Sequence, residues 1–202
     1  LGDVYKRQAE TLSGIVGSLC GDHSVVATPS LVCSVGKLLE HADELYRCSS
    51  VTTASRVALS GLSVLSLMTG LVAFDGNVEA ILLLPVSLDE ATVDRLVASA
   101  GCTHLMDTEG VHVLRSCHAG ATESEADATQ WLLATSGTTG TSKLIGHTLA
   151  SITRSVKRDR TKEACFIWGL LYDPSRFSGL QVVFQALFSG SLLIAYESSD
   201  FD

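Results

Sequence analysis

The stretch Trp131-Leu132-Leu133-Ala134-Thr135-Ser136-Gly137-Thr138-Thr139-Gly140-Thr141-Ser142-Lys143 joins two opposite kinds of sequence. It opens with an apolar run of the kind that forms a buried strand. The segment from Thr135 to Ser142 then contains only Thr, Ser and Gly, and a lysine follows it directly. On composition alone such a tract is a flexible linker. Linkers, however, are flanked by polar sequence, whereas this one leaves an apolar strand and leads to a helix predicted from about Thr148. A glycine-rich loop in that position can curl until successive backbone N–H groups point at one anion. Serine and threonine hydroxyls add donors, and Lys143 brings a full positive charge for phosphate oxygens. The residues read as a nucleotide phosphate loop, and bare chemistry goes no further.

Elsewhere in the chain, apolar positions at Leu31, Val35, Leu38, Leu39 and Ala42 predict an amphipathic helix over 31–46. Arg56-Val57-Ala58-Leu59 reads as a strand and is followed by a fully buried helix. Ala80 to Leu84, ended by Pro85, reads as a buried strand. Ser87-x-x-Glu90 forms a capping-box pattern ahead of a helix through Leu96 and Ala100. Thr103–Met106 and Val111–Leu114 read as paired strands around an Asp107–Gly110 turn, and 119–127 as an acidic loop. Beyond the lysine, a helix is predicted over 149–158, a strand over 165–170, a helix over 179–188 and a strand over 192–196. Alternating strands and helices imply an α/β fold with mainly parallel sheets flanked by helices.

Composition narrows the function. The chain has 202 residues, of which 46% are hydrophobic and 18% charged, so it can bury a sizeable core and is not intrinsically disordered. With 14 Lys+Arg against 22 Asp+Glu the net charge is -8, which excludes nucleic-acid binding driven by a global positive field. The basic run 157–162 is interrupted by Asp159 and carries no aromatic residue, as in a solvated helix end. The 6 cysteines form no C-x-x-C pair and sit mostly among apolar neighbours, which fits reduced thiols and a cytoplasmic setting. His104, His112 and His118 near Cys102 and Cys117 match no common metal-ligand spacing, so no metal site is assigned. The uncharged run from Val57 to Phe74 approaches the ~18 residues of a membrane span, but its serines, glycines and threonine favour a buried helix. Residues 1–8 show no periodicity and are read as a disordered or non-native tail.

Residues 134–143 resemble the phosphate-loop signature of the adenylate-forming superfamily, which includes acyl-CoA synthetases and the adenylation domains of peptide synthetases. That signature runs Tyr or Ala, then T-S-G-T-T-G-x-P-K, and the chain departs from it at Ser142, where proline is usual. The family then continues G-V-x-x-(S/T)-H. Here Thr148 keeps the hydroxyl, Leu149 replaces the histidine, and His147 is not given that histidine's role. A second stretch through Trp168-Gly169, Gly179-Leu180 and Phe188-Ser189-Gly190 follows the family's order, with Arg176 where many members have histidine.

The resemblance implies ATP-dependent activation of a carboxylic acid, a fatty or other acyl acid, to an acyl-adenylate with release of pyrophosphate, then thioester formation with CoA. Thr135, Ser136, Gly137, Thr138, Thr139, Gly140 and Lys143 would hold the ATP phosphates, with Mg²⁺ as companion ion. Arg176, Phe177 and Gly179 would line the acyl pocket. The resemblance further implies that residues 9–202 are the first part of a large N-terminal domain, truncated on its C-terminal side and inactive alone, with the family's catalytic lysine beyond Asp202. Two other readings stay open: a degenerate member that binds nucleotide or acyl ligand without turnover, and a protein held to membranes through 57–74.

Overall fold

The computed structural model describes residues 10–19, 21–114, 128–135, 143–157 and 166–196. The tail 1–8, the acidic loop 119–127, loop residues Ser136–Ser142, most of the basic run, Cys20, Cys117, Cys165 and His118 lie outside the described residues.

The uncharged run divides as expected into a strand and a helix. Strand β3 (Arg56–Ser60) leads through Ser63, whose hydroxyl accepts from Ser66 N–H, into helix α3 (Val64–Phe74). Every residue of α3 from Leu67 onward is buried, so this helix is a core element. No helix among the described residues is long and apolar enough to cross a membrane. Strand β4 (Ala80–Leu84) is buried at all five positions and pairs parallel with β3. Helix α4 (Glu90–Ser99) then returns the chain to β5 (His104–Asp107), and β6 (Gly110–Val113) folds back antiparallel.

The larger sheet has the order β6-β5-β3-β4-β7-β8, with β7 at Gln130–Thr135 and β8 at Lys143–His147. Its four central strands are parallel and only its edges are antiparallel. Both faces are covered. Val57, Leu59, Ile81, Leu83, Trp131 and Leu133 belong to the main core, whereas Ala58, Leu82, Leu84 and Leu132 pack with Leu96 of α4. Opposite faces of alternate residues explain the continuous apolar runs.

The smaller sheet has the order β2-β1-β10-β9. Strands β1 (Ser24–Thr28), β10 (Leu192–Ala195) and β9 (Ile167–Leu170) are parallel, and β2 (Leu31–Ser34) pairs antiparallel with β1. Helix α1 (Leu12–Gly17), helix α2 (Val35–Cys48), α3 and helix α6 (Phe177–Ser189) contribute to the core between the sheets. A short helix, α5 (Leu149–Ile152), follows β8 and is capped by a Thr148/Ser151 capping box. Gly190 ends α6 in the left-handed region at φ 72°, where a glycine costs least.

Four expectations are corrected. Residues 31–34 form β2, and α2 starts only after Ser34, whose hydroxyl accepts from Lys37 N–H. The cap of α4 is Asp89, which accepts from Thr92 N–H at 2.9 Å, so Ser87 is left outside the helix. The phosphate-loop segment leads first into β8, because Leu144 can pack on the α4 side of the sheet. The helix predicted over 149–158 ends after Ile152. Strand β1 and helix α1 have no counterpart in the sequence reading.

Candidate functional site

The parallel strands β5, β3, β4 and β7 bring their C-terminal residues Asp107, Ser60, Leu84 and Thr135 to one edge of the sheet. In open α/β sheets, ligands bind outside that edge. Of these four ends, only that of β7 carries the Thr/Ser/Gly segment. Thr135 pairs with Lys143 across the β7–β8 ladder, so the segment is the connection of a hairpin rather than a linker between bodies. The Thr135 hydroxyl donates to the Lys143 carbonyl at 3.2 Å. Its one proton is therefore engaged in closing the hairpin. Lys143 is exposed at the start of β8. Ser136, Gly137, Thr138, Thr139 and Gly140 lie outside the described residues.

The base of the hairpin is held rigidly from below. Trp131 is fully buried, its indole N–H donates to Asp75 Oδ1 at 2.8 Å, and its ring meets Phe184 edge-on at 5.4 Å. Asp75 Oδ2 in turn accepts from Leu12 N–H at 2.8 Å. Burial pushes the Asp75 carboxyl above its usual range, while these two hydrogen bonds pull it back down. One carboxylate thus ties α1, the end of α3 and β7 together.

The pocket residues expected from the sequence gather at the start of α6. Arg176 Nη2 donates to Ser87 Oγ at 2.9 Å, in the turn after β4, and Arg176 Nε lies 3.8 Å from Asp173 Oδ2. Phe177 is half-exposed, and its ring sits 6.0 Å from the imidazole of His147 at 41°. Gly179 is buried against the 173–174 backbone: a Cβ there would lie 2.6 Å from the Asp173 carbonyl carbon and 2.9 Å from Pro174 Cα. The first turn of α6 therefore touches both the β4–α4 turn and β8. These two flank β7 in the sheet. His147 pairs with Trp131, four residues along β8 from Lys143, or about 13 Å at strand rise.

Sequence reasoning missed Ser87, His147 and Asp75. Ser87 fits a helix-cap pattern in sequence, and His147 is out of register with the family's histidine. Asp75 did carry a signal, since a lone acid closing a long uncharged run is buried only if it is hydrogen-bonded. Elsewhere, His104 is buried between the Ser50 hydroxyl at 3.2 Å and the Thr103 hydroxyl at 2.8 Å, and His112 pairs with Asp107 at 3.1 Å. A separate open groove of about 340 Å³ lies between α2, α3 and β5, with His41, Glu44, Leu65 and Met106 in its lining; β7, β8 and α6 contribute nothing to it.

No family model and no curated protein matches the chain. Solved structures do match its fold. The Klebsiella oxytoca NpsA N-terminal subdomain, in complex with 3-hydroxyanthranilyl-AMSN, is 16% identical, with TM-score 0.70 over 91% of this chain and 52% of that one. The O-succinylbenzoate Coenzyme A synthetase MenE of Bacillus subtilis, in complex with ATP and magnesium ion, is 14% identical, with TM-score 0.67 over 95% and 59%. A putative long-chain-fatty-acid CoA ligase from Rhodopseudomonas palustris is 12% identical, with TM-score 0.71 over 93% and 57%. The fold is that of the N-terminal subdomain of adenylate-forming enzymes. The chain spans about half the length of the structures it matches.

Proposed function

We propose that this chain is the nucleotide- and acid-binding part of an ATP-dependent acid-activating enzyme, similar to acyl-CoA synthetases. The carrying observation is the hairpin that closes the T-S-G-T-T-G segment between Thr135 and Lys143, at the C-terminal end of a parallel strand in a fold shared with such enzymes. In the proposed reaction a substrate carboxylate oxygen attacks the α-phosphorus of ATP. The bond to pyrophosphate breaks as the acyl-phosphate bond forms, and a CoA thiol then displaces AMP to give the thioester.

The chain's own residues serve this chemistry by holding charge. Lys143 pairs with β- and γ-phosphate oxygens, and Ser136, Thr138 and Thr139 supply hydroxyl or amide donors. Gly137 and Gly140 let the backbone approach. Preorganised donors of this kind are worth about 10²–10³ in rate in comparable sites. Arg176, Phe177 and Gly179 shape the acid pocket. Mg²⁺ is bound largely through phosphates and water in such sites, and among the described residues no cluster of three His, Cys, Asp or Glu side chains offers it a protein cage. When bound it would neutralise phosphate charge.

Because this chain covers only 52–59% of the matched structures, the complete reaction is proposed for a protein in which this fold works with a counterpart of their remaining part. The 202-residue chain by itself is expected to bind ATP without turning it over. Titration with ATP and Mg²⁺, followed by an ATP–pyrophosphate exchange assay with benzoate and hexanoate, tests both statements. A cytoplasmic setting is proposed from the sequence, whose 6 cysteines form no C-x-x-C pair and sit mostly among apolar neighbours. The departures at Ser142 and Leu149 favour one second reading, a binding protein of the same fold without turnover. ATP binding without exchange, even when the remaining part is supplied, would select it.

A further inference from the structure

The start of α6 carries a polar and an aromatic side chain in succession, Arg176 against the turn after β4 and Phe177 against β8. Arg176 reaches the Ser87 hydroxyl with Nη2 at 2.9 Å, while its Nε stands 3.8 Å from Asp173 Oδ2, too far for a hydrogen bond. The Asp173 carboxylate is itself engaged, since its Oδ1 accepts from the backbone N–H and the hydroxyl of Ser175. A guanidinium has five N–H donors in a planar fork matched to a carboxylate. Here Ser87 orients the fork and the loosely placed Asp173 does not saturate it. The Arg176 side chain is about half exposed, so a ligand can reach it.

One residue along, Phe177 exposes 50% of its surface next to the His147 ring, and Val86, the neighbour of Ser87, exposes 67%. An exposed aromatic ring backed by an imidazole favours a flat apolar ligand. Gly179 fixes the arrangement, because the 173–174 backbone occupies the space of any side chain at that position and so holds Arg176 and Phe177 in place.

The geometry points to an aromatic acid carrying a second anionic group as the substrate class: its ring lies on Phe177 and His147, and its second carboxylate is held by Arg176. The carboxylate to be activated remains at the other end of the molecule. This assignment rests on the reading of the chain as an acid-activating fold. It makes Arg176 and Phe177 specificity-determining residues, each with a separable effect.

The test is calorimetric titration of the 202-residue chain with benzene-1,3-dicarboxylate, benzoate and hexanoate in the presence of saturating ATP and Mg²⁺, with ATP binding measured separately. The dicarboxylate is expected to bind about tenfold more tightly than benzoate, the size of one charge-assisted contact. Benzoate is expected to exceed hexanoate about threefold to tenfold. Arg176→Gln should erase the first preference alone, Phe177→Leu the second alone, and neither should alter ATP affinity. Equal binding of the three acids, preferences that survive both substitutions, or ATP binding with no acid binding would overturn the assignment and leave the nucleotide reading standing. Failure to bind ATP would overturn the nucleotide reading and this assignment with it.

Discussion

The Thr135 hydroxyl donates to the Lys143 carbonyl at 3.2 Å, and the same two residues face each other across the β7–β8 ladder. The mouth of the Thr/Ser/Gly loop is therefore tied by a side chain as well as by the sheet. Thr135→Val keeps the branched shape and removes the proton. The expected result is a loss of about 1 kcal/mol in stability and a weakening of ATP binding by about threefold to tenfold as the loop loses preorganisation. Denaturant unfolding and an ATP titration of the same variant check both.

Asp75 is the structural counterpart below the hairpin. It accepts from the Trp131 indole N–H and from Leu12 N–H, both at 2.8 Å and both buried. Asp75→Ala would strand two donors away from water, and a loss of about 3 kcal/mol is expected at neutral pH. Asp75→Asn keeps one acceptor oxygen and should lose less. Chemical denaturation of the two variants checks the order; an Asp75→Ala variant as stable as the parent would show that the carboxylate is dispensable.

His104 makes stability fall on the acid side. Its two ring nitrogens meet the Ser50 and Thr103 hydroxyls, and burial lowers its pKa below the usual value. In the acid range the unfolded chain then binds more protons than the folded one, so stability rises with pH there. The contribution is present above the unfolded histidine value of about 6.5 and is lost as pH falls through the lowered folded value. His104→Gln should flatten this part of the profile. Unfolding midpoints measured between pH 5 and 8 check it; an unchanged slope would remove His104 as the cause.

Two glycines of the second signature stretch should behave in opposite ways. Gly179 has no room for a Cβ against the 173–174 backbone, whereas nothing lies within 4 Å of a Cβ at Gly169. Gly179→Ala should cost about 2–3 kcal/mol through a forced backbone shift, and Gly169→Ala should stay within about 0.5 kcal/mol. Thermal unfolding of the pair separates a steric glycine from one that merely occurs in a strand.

Much of this fold was legible because apolar runs and breaks were sharp. Ala80–Leu84 with Pro85, and the uncharged run around Gly61, gave β3, α3 and β4 nearly to the residue. The errors arose where two signals overlapped. Leu31 fits the helical spacing of α2, yet pairing with Thr28 draws it into β2. Lys143-Leu144-Ile145-Gly146-His147 has too few apolar residues to announce a strand, and only the ladder to β7 makes it one. The site was legible as a loop composition, since phosphate binding needs residue types that stand out. Its second half was not. Ser87 and His147 reach Arg176 and Phe177 through contacts that span 89 and 30 residues of chain, and no local pattern encodes them.

Calorimetric titration of the 202-residue chain and of its Lys143→Ala variant with ATP and Mg²⁺ bears most directly on the nucleotide site. Stoichiometric binding by the chain is expected, weakened about 10- to 100-fold in the variant by the loss of one charged phosphate contact, with the unfolding midpoint unchanged because Lys143 is exposed. Equal affinity in the two proteins, or no heat of binding in either, would contradict a phosphate site between Thr135 and Lys143.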